Sequence, residues 1–164
     1  NSFRGHISAA GWVHIQKLAV VEEAERTATE AVELVSADEC PSEATTLVLD
    51  SGQVELQIHE SIGHPVELDR VLGMEEAYAG SSFVRPDGRG SLRYASPLFS
   101  ITADASLPGG LGSFGWDDEG VPAQRVPILV DGVFENFISS RETASVLGIE
   151  SSGAMRAKRS CDCG

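Results

Sequence analysis

Basic side chains are scarce in this sequence. Lys and Arg number 12 against 25 Asp and Glu, which leaves a formal net charge of −13. Broad binding to nucleic acid or to an anionic bilayer needs basic surface, so this balance argues against both as direct partners. Cysteine is sparse too. Cys40, Cys161 and Cys163 are an odd set, unlike the even framework of a disulfide-stapled secreted domain. A reducing compartment, the cytoplasm, suits such a count. No apolar run is long enough to span a bilayer. The opening NSFRGHISAAGW lacks a basic segment followed by an apolar stretch and a cleavage site. The sequence starts at Asn1 rather than Met, so this reading covers only the residues present.

With 164 residues the chain has room for one domain with a sizeable core, or for parts of two. From Leu18 to Ala37, apolar Val20, Val21, Ala24, Ala28, Ala31, Leu34 and Val35 recur at three- and four-residue steps, which predicts an amphipathic helix rich in Ala and Glu. Cys40-Pro41-Ser42 stops it. A short strand is expected over Thr45–Leu49. Between Gly52 and Val71 the pattern is double: Val54, Leu56 and Ile58 alternate like a strand, whereas Val54, Ile58 and Ile62 repeat like a helix. The i, i+4 series runs on through Ile62, so the helix is favoured, with Asp50 or Ser51 to cap it.

Gly80–Gly90 and the glycine-rich Leu107–Gly120 read as loops, and Ser91–Thr102 as β-rich. Arg125–Val130 and Val133–Ile138 flank Asp131-Gly132, a dipeptide suited to a hairpin turn with positive φ at both central positions. A short helix over Arg141–Leu147 ends at Gly148. The expected fold class is α+β: mixed helices and antiparallel β hairpins.

The chemistry is concentrated in His59-Glu60-Ser61-Ile62-Gly63-His64. Neutral imidazole is a favoured zinc ligand, and a catalytic zinc takes about three protein ligands plus a water. The metal lowers the pKa of water to about 7, and a neighbouring carboxylate can then act as general base. Glu60 stands where such a base is needed, by the logic of H-E-x-x-H peptidases. Here the spacing is one residue wider. On a regular α-helix, residues i and i+4 differ by roughly 40° around the axis but i and i+5 by roughly 140°. The two histidines converge only if the helix widens, and a π-type turn with i→i+5 bonding would do this. Gly63 eases the distortion and Pro65, without an N–H, disturbs regular bonding beside it.

The segment HESIGHPVELDRVLG resembles the metal-binding helix of the TldD/PmbA family, named as modulators of DNA gyrase, and specifically its TldD-type zinc metallopeptidases. In them H-E-x-x-x-H is followed by a Glu and an Asp, matched here by Glu67 and Asp69. Asp117-Asp118-Glu119-Gly120-Val121-Pro122-Ala123 resembles the family's D-[DE]-E-G-x-P-[AS] segment, Ile128–Val133 its hairpin, and Ser151-Ser152-Gly153 the start of its S-x-G stretch. The order is right along nearly the whole chain.

The resemblance implies that His59 and His64 bind zinc and that Glu60 activates water to hydrolyse unfolded or short peptides. It implies assembly as a homo-oligomer or with a PmbA-type subunit, which lacks the metal motif. It divides the chain into residues 1–41, the end of a preceding domain, and 42–164, the first part of a C-terminal metallopeptidase domain. A third ligand, a cysteine farther along that domain, is implied as well; Cys161 and Cys163 follow the S-x-G stretch too closely to match it. Glu67 and Asp69 either orient the histidines or form a solvated acidic pair. Pro65 stands where such proteins usually have glycine. The rival reading is a catalytically incomplete fragment or a scaffold subunit of the same kind of complex.

Other features carry less. Asp117, Asp118 and Glu119 read as a turn rather than a metal cluster. Gly110–Gly115 formally matches G-x-G-x-x-G but follows no clear strand and opens no helix, so nucleotide binding is not expected. Arg156-Ala157-Lys158-Arg159 reads as a solvated tail.

Overall fold

A computed structural model describes His6 and residues 8–156. Cys161, Cys163 and residues 157–159 of the basic cluster lie outside the described residues. The chain divides into two compact units: one runs up to Val48 and includes Gly109–Leu111, and the other holds Leu49–Pro108 and the residues from Gly112 onward.

In the first unit the helix expected over Leu18–Ala37 begins only at Ala24, as α2 (Ala24–Ser36), and a separate helix, α1 (Trp12–Lys17), precedes the expected span. The break is at Ala19, whose φ of 45° cannot continue a right-handed helix. The turn that follows delays α2 to Ala24. Neither helix buries a residue.

The second unit is α+β, built of α3 (Ser51–Ile58), α4 (Leu68–Val71), β1 (Ile101–Asp104), β2 (Arg125–Val130), β3 (Val133–Phe134) and α5 (Arg141–Leu147). The strands form an antiparallel sheet in the order β1-β2-β3. Asp131 and Gly132 turn the hairpin with φ of 48° and 78°, the expected pair of positive values. α5 starts on a Ser140–Thr143 capping box and ends at Gly148, with φ 65°, as its sequence pattern requires.

Three β expectations differ. Thr45–Leu49 forms no strand: Leu47 and Val48 are exposed and no edge pairs with them. Within Ser91–Thr102 regular pairing begins only at Ile101, preceded by a single bridge from Arg93 to Val133. β3 stops at Phe134 instead of Ile138, because the chain then leaves β2 to meet the segment after the histidine motif. Ile138 N–H donates to the Val66 carbonyl at 3.0 Å and the Ile138 carbonyl accepts from Leu68 N–H at 2.9 Å, a parallel bridge centred on Glu67. Ile62, Val66, Leu68, Val84, Ile128, Leu129, Phe134 and Phe137 form the core under this junction. Among the described residues no helix is long and apolar enough to cross a membrane.

Candidate metal centre

The helix that presents the motif begins at Asp50, whose Oδ1 accepts from Gln53 N–H at 3.1 Å. Bonding is α-helical through Ile58 and then widens. His59–Gly63 is a π turn in which His64 N–H donates to the His59 carbonyl, the i→i+5 bond that the six-residue motif calls for. A 3₁₀ turn, His64–Val66, follows, and Glu67 is extended. Ile62 is buried at 6% exposure and Val66 completely. These two anchors hold one face of the distorted segment in the core and leave the histidines on the other.

His59, Glu60 and His64 come together as a result. One ligand atom from each lies within 4.8 Å of the others, and the imidazole centroids are 4.3 Å apart. Two nitrogens on one tetrahedral zinc stand about 3.4 Å apart, given Zn–N bonds of about 2.0–2.1 Å. Modest side-chain rotation on this accessible surface closes that difference. The donor set therefore fits a divalent transition metal, with two imidazoles and a carboxylate.

Carboxylates flank both rings. Glu60 Oε1 is 3.3 Å from His59 Nδ1, with both side chains more than half exposed. Glu67 Oε2 is 3.1 Å from His64 Nδ1, and this pair is only a third exposed. An Nδ1–H donated to a carboxylate fixes the neutral tautomer that leaves the Nε2 lone pair for a metal. Glu67 is itself met by Arg70 Nε at 3.4 Å, while a terminal guanidinium nitrogen of Arg70 donates to the Ala79 carbonyl at 2.8 Å. Asp69 turns elsewhere and accepts from the Arg70 backbone N–H at 2.7 Å.

The motif and the residue after it are supported from a distance. Tyr94 Oη donates to the Ser61 carbonyl at 2.5 Å, and Ser82 Oγ to the Pro65 carbonyl at 2.6 Å. Burial pushes the Tyr94 phenol up to about 12, so it remains a donor through the neutral range. Tyr94 and Ser82 had no local signal in the sequence, since both reach the helix from other segments. Arg70 did have one, its i, i+3 spacing from Glu67.

Asp117 is buried and organises a turn: its Oδ1 accepts from the N–H groups of Glu119 (3.0 Å) and Val121 (2.8 Å), and its Oδ2 from Met155 (3.2 Å). Gly110–Gly115 is loop and opens no helix. Cys40 is exposed, and among the described residues only His59, Glu60 and His64 make up a cluster of candidate ligands.

An α+β unit that converges two histidines and a glutamate of an H-E-x-x-x-H motif on a widened helical turn has a cluster compatible with metal coordination. Residues 42–163 match the family described as the PmbA/TldA metallopeptidase C-terminal domain, and the chain belongs to that family. It is 39% identical over 115 residues to a metalloprotease of Archaeoglobus fulgidus, covering 70% of this chain and 25% of that one. With a metalloprotease of Methanothermobacter thermautotrophicus it shares 33% identity over 155 residues, 93% of this chain and 32% of the relative. A crystal structure of a proposed modulator of a DNA gyrase from Thermotoga maritima superposes with a TM-score of 0.58 at 26% identity, covering 80% of this chain and 29% of that one. The chain thus spans a quarter to a third of the length of these relatives.

Proposed function

We propose that this chain supplies the histidine helix of a zinc-dependent peptidase that hydrolyses unfolded or short peptides. The observation that carries the reading is the convergence of His59, Glu60 and His64 on the π turn. His59 and His64 would hold the metal, and Glu67 orients His64. Bound zinc would acidify a water and polarise the peptide carbonyl. Glu60 takes the water's proton and passes it to the leaving amine. Family membership supports the substrate class and the pairing with a second subunit, either another copy or a PmbA-type chain. In this reading residues 1–41 end a preceding domain and 42–164 begin the metallopeptidase domain, whose later part contributes a cysteine as third ligand.

A second reading, a catalytically incomplete or scaffolding chain, is favoured by one observation. If Glu60 is the base, the cluster leaves only two ligands among the described residues. Zinc stoichiometry on the purified protein, beside His59→Ala and His64→Ala, separates the two. About one zinc per chain, lost in both variants, with peptide cleavage lost in Glu60→Gln, is the outcome expected of the peptidase. Zinc retained in both histidine variants would sink the proposed site, and zinc bound without cleavage would favour the scaffold.

A further inference from the structure

Widening a helix leaves carbonyl groups without their usual donors, and an unpaired carbonyl away from water is costly. In a continued α-helix the Ser61 carbonyl would accept from residue 65. That residue is Pro65, which has no N–H to give. The neighbouring carbonyls find partners along the chain: His59 from His64 N–H, His64 from Glu67 N–H at 3.2 Å, and Val66 from Ile138 N–H at 3.0 Å. Ser61 is served by a side chain 33 residues away, through the Tyr94 hydroxyl at 2.5 Å.

Tyr94 is well placed for this. Its N–H donates to the Gly132 carbonyl at 2.8 Å, which ties it to the hairpin turn. Its ring packs at 5.3 Å on Phe83, the residue after Ser82, and Ser82 holds the Pro65 carbonyl. The sheet and the 82–83 segment therefore grip the Ser61–Pro65 stretch at both ends.

We propose that Tyr94 is a positioning residue of the metal centre: its hydroxyl occupies the carbonyl that Pro65 orphans and so fixes the π turn that sets His59 beside His64. Its zinc consequence rests on the reading of the histidines as ligands, whereas its structural half does not. The Tyr94 hydroxyl bonds to the Ser61 carbonyl and its ring packs on Phe83, so its influence on the histidines passes through the Ser61 backbone.

The test uses the intact protein with Tyr94→Phe, Pro65→Ala and the double variant. Zinc affinity is read by competition with a chromogenic chelator, and amide exchange at His64 is read by NMR without metal. Ile128→Val, on β2 in the shared core but outside the hydrogen bonds of Tyr94 and Ser82 to the helix, controls for lost stability. Tyr94→Phe is expected to weaken zinc binding by about 10-fold or more, the scale on which outer supports of metal ligands act, while Ile128→Val leaves it within about 2-fold. In the Pro65→Ala background, where residue 65 again has an N–H, loss of the hydroxyl should cost less than about 3-fold. Unchanged affinity in Tyr94→Phe, or the same loss in both backgrounds, overturns the proposal. If the unaltered protein takes up no zinc, the ligand reading fails separately. The positioning claim then stands on exchange: His64 N–H should exchange at least about 10-fold faster in Tyr94→Phe, and an unchanged rate overturns it.

Discussion

Gly132→Ala tests whether the hairpin turn is a conformational convenience or a close-packed joint. Gly132 and Gly148 both have positive φ, 78° and 65°, so an alanine at either pays a left-handed penalty of about 1 kcal/mol. The space around them differs. A Cβ on Gly148 meets nothing within 4 Å, whereas on Gly132 it would strike the Ala95 carbonyl oxygen and lie within 2.6 Å of that of Ser96. Relief requires the turn to move. That motion strains three backbone hydrogen bonds: Gly132 N–H to Phe99 at 2.8 Å, and Tyr94 and Ala95 N–H to Gly132 at 2.8 and 3.1 Å. At about 1 kcal/mol each, they bring the expected loss to about 4 kcal/mol, against about 1 for Gly148→Ala. Urea unfolding of both variants measures the difference. Losses within about 1 kcal/mol of each other would refute the close-packing argument.

Three further outcomes are expected. Glu67→Gln should weaken zinc binding by about 10-fold without unfolding the protein, because it exchanges the carboxylate on His64 Nδ1 for a neutral amide of the same shape; isothermal titration gives the value, and unaltered affinity would dismiss Glu67 as a support. Asp117→Asn should cost about 2–3 kcal/mol in chemical denaturation, since its amide group cannot accept from all of the three N–H groups that Asp117 serves; a change below about 0.5 kcal/mol would show that the turn holds without it. For Tyr94, a phenol raised from 10.0 to about 12 favours its neutral form in the folded state, so the stability it contributes is full below pH 10 and is lost as pH rises towards 12. Ultraviolet titration of the protein minus that of Tyr94→Phe should place this ionisation near 12, and a value near 10 would contradict its burial.

The site was more legible than the β-structure, for a physical reason. Two histidines five residues apart can meet on one side of a helix only if it widens, and His59–Gly63 adopts that turn. Local signals also sufficed for the cap at Asp50, the Asp131-Gly132 turn and the whole of α5. Sheet pairing is different, because a strand exists only where another edge accepts it. Thr45–Leu49 has the composition of a strand and no partner, and β3 keeps only Val133 and Phe134 of the expected Val133–Ile138, the rest going to the junction with Glu67. Periodicity also ran through Ala19, where a left-handed residue and the turn after it hold off α2 until Ala24. Tyr94, finally, acts on the motif through contacts that no window of sequence around His59 contains.

Glu60 has two conceivable roles, ligand and base, and they predict different zinc affinities when it is replaced. A carboxylate bound to the metal contributes to affinity and is a weaker base for it, whereas a base beside the ion needs only hydrogen-bonding distance from the water. The structure offers an oxygen of Glu60 both to the cluster and to His59 Nδ1 at 3.3 Å. Adjacent residues on a helix diverge by about 100° around the axis, so Glu60 reaches the space between the histidines from the side rather than stacking with them. That approach suits a base beside the ion better than a third corner of its coordination. Glu60→Gln should accordingly keep zinc affinity within about 3-fold of the parent while abolishing cleavage, since a neutral amide holds its place but takes no proton. A loss of zinc as deep as that in His59→Ala would instead make Glu60 a ligand, and the proton acceptor would then have to be another group.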